Sequence, residues 1–312
     1  MDSRSCCCPP MVKAMCRAVV AAVLGVFAVL LVAACSHLAP VATGVGSLRC
    51  GIAAFGGVDP LQQAEQIAAM GFDYLEPGLA KAVALTAEQR TDVQARLRTL
   101  GIRVETMNWF LPPDLKVTGP TVDGARVRTY VEQALAVAES FGAKVIVFGS
   151  PAARSHPEDF PRARAWQQLQ DFLRLCGEVI DQRQFGMVIG IEALRRPESN
   201  VINSTAEALQ LAQAVGHAKV RIIVDCYHLA FENEDPDIVL QGRDWIVHLQ
   251  IAAPSTRGYP RQADGEPRYA RFFRNLQRIG YRGRISLEGA PADFAADAPP
   301  SLAFLRELTA AR

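Results

Sequence analysis

The sequence predicts a (β/α)8 TIM barrel running from about Leu48 to the C-terminus, and three observations carry that prediction. Short apolar runs alternate with longer segments of helical periodicity, the runs number eight, and several of the helical segments stop at a glycine. Runs that are apolar throughout and separated by helices belong to a parallel sheet covered on both faces. Eight such units between residues 48 and 312 match a closed barrel, typically about 250 residues, better than an open doubly wound sheet. An open sheet would also place a glycine-rich phosphate turn after its first strand. Phe55-Gly56-Gly57-Val58 is not that fingerprint.

In chain order the first run is Arg49–Phe55, followed by a helical pattern over Pro60–Met70. Tyr74–Glu76 precedes a helix over Ala87–Leu100, and Arg103–Asn108 precedes one over Gly124–Phe141. Lys144–Gly149 leads into Arg164–Gln182, and Met187–Glu192 into Ala206–Ala214. Arg221–Asp225 is the sixth run, Trp245–Ile251 with a helix over Tyr269–Ile279 is the seventh unit, and Arg284–Glu288 is the eighth run. Apolar residues recur at helical spacing in each helical segment. Gly71, Gly101, Gly142 and Gly280 stand where a helix needs a left-handed residue to stop.

The chain before the barrel is different material. Lys13 and Arg17 precede an uncharged apolar run over 18–34, which ends in Val32-Ala33-Ala34-Cys35. A charged start, an apolar stretch and a small-residue site ending in cysteine read as a lipoprotein signal over 1–35, with Cys35 lipidated. An uncleaved transmembrane anchor is the alternative, since the run is only slightly short of a span. Residues 36–47, rich in Ala, Pro, Gly and Ser, form a tether, and residues 48–312 form the catalytic domain. The barrel is then expected in the cell envelope, held to a membrane by its lipid. Apart from Cys35, the chain beyond the signal holds Cys50, Cys176 and Cys226, far apart and with no C-x-x-C pair. Buried free thiols are expected there rather than a zinc knuckle or a disulfide framework.

The 33 basic and 32 acidic residues leave a net charge of +1 and are well mixed. That excludes the electrostatic footprint of a nucleic-acid binder and points to a small-molecule partner; the sequence leaves an oligomer open. The chemistry sits at the strand ends. Glu76, Asn108, Glu192, Asp225, Gln250 and Glu288 each close, or nearly close, an apolar run, which is the C-terminal rim where barrel sites are built. A lone glutamate at a strand end is more often a cap or a salt-bridge partner. Clustered buried carboxylates, however, demand a cation. Glu192, Asp225, Gln250 and Glu288 offer oxygen from strands five to eight, a hard donor set suited to Mn2+ or Mg2+, with Zn2+ or Co2+ as alternatives. Arg154 and Arg196 follow strands four and five, placed either to meet a phosphate or carboxylate or to balance acidic ligands. Trp109 and Phe110 would cover a sugar face or pack in the core.

The segments Ile191-Glu192-Ala193-Leu194-Arg195-Arg196-Pro197-Glu198-Ser199-Asn200, Val224-Asp225-Cys226-Tyr227-His228, His248-Leu249-Gln250-Ile251-Ala252 and Ser286-Leu287-Glu288-Gly289 resemble the sugar phosphate isomerase/epimerase family of xylose-isomerase-like barrels. Met107-Asn108-Trp109-Phe110-Leu111-Pro112 and Val147-Phe148-Gly149-Ser150 are similar to members of that group as well. The resemblance implies that Glu192, Asp225, Gln250 and Glu288 hold one divalent metal and that Glu192 and Glu288 move the substrate proton. It also implies that Glu198, His228 and Arg257 bind substrate oxygens, and Asn108, Glu76 and Arg154 join them as rim candidates. Where ketose 3-epimerases carry histidine as third ligand, this chain has Gln250, as in hydroxypyruvate-isomerase-like members. Arg257 lies one residue further on than in the 3-epimerases, and Ala193 and Arg195 replace a Pro and an Asn common in that segment.

The chemistry supports the same reading. Removing a proton next to a carbonyl requires stabilising an enediolate oxygen, which a divalent cation does as a Lewis acid. The expected function is therefore metal-dependent isomerisation or epimerisation of a ketose-like sugar or a small hydroxy-carbonyl acid. Alternatives on the same barrel are a lyase or dehydratase, a hydrolase, or a sugar-binding lipoprotein without catalysis. The endonuclease-like branch needs several histidines for a zinc cluster, and the chain has five in all.

Overall fold

A computed structural model describes residues 48–261 and 267–309. The signal with Cys35 and the tether over 36–47 lie outside the described residues. Nine parallel strands form one sheet: β1 (Arg49–Ala53), β2 (Tyr74–Glu76), β3 (Arg103–Val104), β4 (Thr106–Met107), β5 (Val145–Phe148), β6 (Val188–Ile191), β7 (Val220–Asp225), β8 (Ile246–Ile251) and β9 (Arg284–Leu287). Their order is β3-β2-β1-β9-β8-β7-β6-β5-β4.

The expected third strand is thus broken in two. β3 pairs with β2 and β4 pairs with β5, so the two ends of the sheet are halves of one stretch of chain. Glu105 sits at the break and touches both sides: its N–H donates to Leu75 O at 3.3 Å, and its carbonyl accepts from Lys144 N at 2.7 Å. The barrel closes through this residue. Its buried carboxylate pairs with Arg49 and Arg284, the first residues of β1 and β9.

Around the sheet run α1 (Ala64–Ala69), α2 (Leu79–Ala84), α3 (Ala87–Leu100), α4 (Gly124–Phe141), α5 (Pro151–Arg154), α6 (Arg162–Gln182), α7 (Thr205–Val215), α8 (Cys226–Phe231), α9 (Ile238–Gln241), α10 (Pro267–Arg278) and α11 (Phe294–Thr309). Local chemistry sets several of their ends. Thr86 and Gln89 form a reciprocal capping box at the start of α3, and Asp123 caps α4 through the Ala125 and Arg126 amides, filling donors that have no partner inside the helix. Gly101 and Gly142 stop these two helices at φ 69° and 82°, as their sequence position predicts. Helices α2, α5, α8 and α9 have four to six residues, too few for a periodic pattern to register. The last helix, α11, carries Pro299 and Pro300 inside it, which hides it from a periodicity argument.

The core lies between the strands and the helices, with Ile52, Leu75, Ile146, Ile189, Ile222, Leu249 and Leu287 all buried. Cys50, Cys176 and Cys226 are free and buried, and burial pushes the Cys50 thiol up to about 12. Inside the barrel, polar side chains from several strands form one layer: Tyr74, Glu76, Thr106, His248 and Ser286 are all buried. Among the described residues no helix is long and apolar enough to cross a membrane.

Candidate active site

The strand ends bring a small cavity of about 40 Å³ to the C-terminal rim, lined by Phe55, Asn108, Trp109, Glu192, Arg257 and Glu288 among others. Larger hollows exist elsewhere among the described residues, but none gathers carboxylates in this way. Glu192, Asp225 and Glu288 are all buried. Burial raises the proton affinity of Glu192, and Asp225 beside it raises it further. Glu288 is raised by burial and then by Glu192, Asp225 and Glu76. Asp225 is pushed up to about 7 by burial, against the lowering effect of the Tyr227 amide.

Such a group of acids fits a cation on three counts. One atom each from Glu192, Asp225 and His228 lie within 4.8 Å of one another. Asp225 Oδ2, Gln250 Oε1 and Asn108 Oδ1 are buried with no hydrogen-bond donor among the described residues, a costly arrangement unless something positive meets them. Finally, Gln250 is oriented by its other end: its Nε2 donates to Glu76 Oε1 at 2.7 Å and to Glu288 Oε1 at 3.3 Å, which leaves the carbonyl oxygen as the free end.

His228 takes a different role from the carboxylates it touches. Its Nδ1 accepts the Arg195 amide at 3.2 Å, and burial followed by Arg257, Arg154 and Arg195 depresses its proton affinity well below the ordinary imidazole value. A neutral ring that accepts at Nδ1 carries its proton on Nε2. Nε2 faces Asp225 Oδ2 at 3.4 Å and Glu192 Oε1 at 3.6 Å. Nε2 also lies 3.5 Å from an Arg257 guanidinium nitrogen; with its proton there the ring donates to a substrate oxygen, and it joins Glu192 and Asp225 around a cation only by giving that proton up.

The remaining expected residues divide in two. Glu198 and Arg257 line the cavity. Glu198 pairs with both Arg195 and Arg257, and the Arg257 guanidinium lies over Phe55 at 4.1 Å and Tyr227 at 4.7 Å from the ring centroids. Asn108 reaches the cavity too, donating from Nδ2 to Glu288 Oε1 at 2.9 Å and Ala54 O at 3.0 Å.

Glu76 and Arg154, expected at the substrate, do not line this cavity. Glu76 is fully buried in the layer beneath, where it accepts from Thr106 Oγ1 at 2.8 Å, from Gln250 and from Ser286, and meets His248 Nε2 at 2.7 Å. Its oxygens are taken by the protein, so it orients Gln250 instead. Arg154 is also fully buried and donates to the Phe148, Glu192 and Ile202 carbonyls at 3.1, 2.6 and 3.2 Å. A guanidinium spent on backbone oxygens clamps the ends of β5 and β6 and is closed to a ligand. Arg154→Met is expected to cost roughly 3 kcal/mol, because buried carbonyls lose their donor; denaturant unfolding measures it, and an unchanged midpoint would remove the clamp.

Among the aromatic candidates, Trp109 is 44% exposed, at φ 46°, and stacks on Phe55 over the cavity. Phe110 packs in the core. Arg196 pairs with Glu232 and does not line the cavity.

Phe55, Gly149 and Leu194 also line the cavity, and sequence reasoning does not single them out. Gly149 does carry one signal, as a glycine directly after an apolar strand. A Cβ there would lie 2.1 Å from Glu192 Oε2, so only glycine lets that carboxylate take its place. Gly149→Ala is expected to displace Glu192 and reduce turnover by roughly 10-fold or more, as misplacement of a reacting group by about 1 Å does. Steady-state kinetics beside a thermal melt checks this: unchanged turnover in a folded variant would show that Glu192 need not stand there.

Comparisons with known proteins identify the family and the fold. Residues 64–308 match the model of the xylose isomerase-like TIM barrel family. An L-ribulose 3-epimerase of Methylomonas sp. (strain DH-1) is 29% identical over 227 residues, 70% of this chain and 74% of that protein. A putative hydroxypyruvate isomerase of Streptomyces coelicolor is 25% identical over 252 residues, 75% of this chain and 86% of the other. In fold, the D-psicose 3-epimerase of Clostridium cellulolyticum H10, solved with D-tagatose, superposes with a TM-score of 0.74 at 18% identity, covering 85% of this chain and 100% of that one. With a family match over most of the described barrel and a carboxylate cluster at its C-terminal rim, the chain belongs to the xylose isomerase-like TIM barrel family.

Proposed function

We propose that this protein is a divalent-metal-dependent isomerase or epimerase acting on a ketose-like sugar or a small hydroxy-carbonyl acid. The observation that carries the reading is the pair of buried glutamates, Glu192 and Glu288, lining one cavity beside acceptors without donors. Relatives named as an L-ribulose 3-epimerase, a D-psicose 3-epimerase and a putative hydroxypyruvate isomerase support the substrate class. Glu192, Asp225, Gln250 and Glu288 would hold the cation, with Mn2+ or Mg2+ favoured by the all-oxygen donor set. When bound, the cation supplies Lewis-acid stabilisation of the negative charge that develops on the substrate's oxygen.

The chain's own residues then divide the work. One of Glu192 and Glu288 removes the proton from the carbon beside the carbonyl, and the other delivers a proton from its own side of the cavity. His228 Nε2–H and Arg257 donate to substrate oxygens, and Glu198 holds Arg257 in place. Asn108 fixes Glu288, and Phe55 and Trp109 keep water from the reacting carbon. Arg257→Gln is expected to raise KM roughly 10-fold with a smaller effect on kcat, as for a contact equally strong in ground and transition states; a fall in kcat alone would contradict that.

The test is metal analysis followed by solvent-deuterium exchange into a panel of ketoses and hydroxypyruvate. Exchange supports the proposal, and binding of a sugar without exchange favours a non-catalytic binder. For the N-terminal segment, the proposal is lipidation at Cys35 and a location in the cell envelope, supported by the charged start, apolar run and Val32-Ala33-Ala34-Cys35 site. Cys35→Ser should abolish lipid labelling; persistent labelling would overturn it.

A further inference from the structure

At the other end of the barrel, where the strands begin, lies a much larger open cavity of about 730 Å³. Arg49 and Arg284 line it at the starts of β1 and β9, joined by Arg98, Arg103 and Lys144. One buried carboxylate, Glu105, is shared between Arg49 and Arg284. The other acid of the lining, Glu139, accepts the Gly186 amide at 3.1 Å. Arg98, Arg103 and Lys144 are exposed, and among the described residues none of them has a carboxylate within ion-pair distance. Five cations thus face two carboxylates, a surplus of three in a chain whose net charge is +1.

An ordinary cause accounts for part of that surplus. Helices α3 and α4 end at Gly101 and Gly142, both in the cavity wall, and each helix C-terminus is equivalent to about half a negative charge. Together they offset about one of the three positive charges. The segment before the barrel offers little more, since residues 1–47 contain a single acid, Asp2.

We propose that this cavity binds a phosphate-bearing anion. Guanidinium groups present paired donors that match phosphate oxygens, and lysine adds a point charge. The volume lies within the usual range for small-molecule sites, about 300–1,000 Å³. Two sources share this chemistry: a soluble phosphorylated molecule and the head group of an anionic phospholipid. The site is remote from the carboxylate cavity, so the proposal does not depend on the isomerase reading.

The test uses the full chain at low ionic strength, where screening is weakest. Inorganic pyrophosphate is titrated by calorimetry, and binding is measured in parallel to phosphatidylcholine vesicles with and without one-third phosphatidylglycerol. The comparison is with Arg103→Gln/Lys144→Gln, both positions being exposed and outside the carboxylate cavity at the opposite rim. The pure phosphatidylcholine vesicles account for the apolar contribution of the N-terminal segment, and the variant, which keeps Arg4, Lys13 and Arg17, accounts for its charge. Pyrophosphate binding at one per chain, weakened roughly 10-fold or more in the variant, supports the site with a soluble ligand. A preference for phosphatidylglycerol vesicles that the variant loses supports it with a lipid head group. Neither binding, or equal binding by the variant, overturns the proposal. Should the double variant fail to fold, Arg98→Gln on the outer surface of α3 serves the same comparison.

Discussion

Glu288→Gln is expected to lower exchange of the substrate proton with solvent deuterium by roughly 10²-fold or more while the protein still takes up its divalent ion. Glutamine keeps the shape and one oxygen donor and removes the base. The local structure tolerates the change, because Glu288 Oε1 already accepts from Asn108 Nδ2 at 2.9 Å and Gln250 Nε2 at 3.3 Å. An amide oxygen in the same place accepts the same two donors, and the ion then rests on the oxygens of Glu192, Asp225 and Gln250. Glu192→Gln should behave alike. Measuring bound metal and deuterium incorporation on one sample separates the two roles. Full exchange with metal still bound would make Glu288 a ligand only and end the two-glutamate mechanism.

The second large effect is on stability. In the metal-free protein, burial and mutual repulsion hold Glu192 and Glu288 well above the usual carboxylate range, and Asp225 at about 7. Groups whose folded pKa lies above the unfolded one favour the folded state fully at pH below about 4. That contribution is lost as pH rises through the folded values. His228 works in the opposite direction, since a depressed imidazole costs stability as pH falls below about 6.5. Three carboxylates outweigh one imidazole. With a chelator present, the melting temperature should therefore fall by roughly 5–10 °C between pH 5 and pH 8, since a tenfold change in a group's proton affinity on folding is worth about 1.4 kcal/mol. Mn2+ should restore it at pH 8 and release protons on binding. Identical pH profiles with and without Mn2+ would show that these carboxylates are not the ligand set.

Both expectations start from residues that are legible in the chain. The closed parallel barrel follows from eight apolar runs, and the strand ends at Glu192, Asp225, Gln250 and Glu288 mark the rim, because residues that end a buried strand have one place to go. Helices α3 and α4 are readable to the residue, since Thr86, Asp123, Gly101 and Gly142 are local stop and start signals. The broken third strand is not, because the partners of Glu105 stand at Arg49 and Arg284.

The same limit governs the site. Glu76 and Glu288 both close apolar runs and look alike in one dimension. In three, Glu76 is surrounded by Thr106, His248, Gln250 and Ser286, whereas Glu288 opens on the cavity. Arg154 likewise has the position of a rim arginine, yet its donors go to three backbone carbonyls. The order of residues along the chain specifies which types end the strands, and hence the class of fold and the hard donor set. Packing in three dimensions selects which of those polar groups find partners inside the protein and which are left facing the cavity, because satisfying a buried polar group depends on neighbours that are distant in the chain.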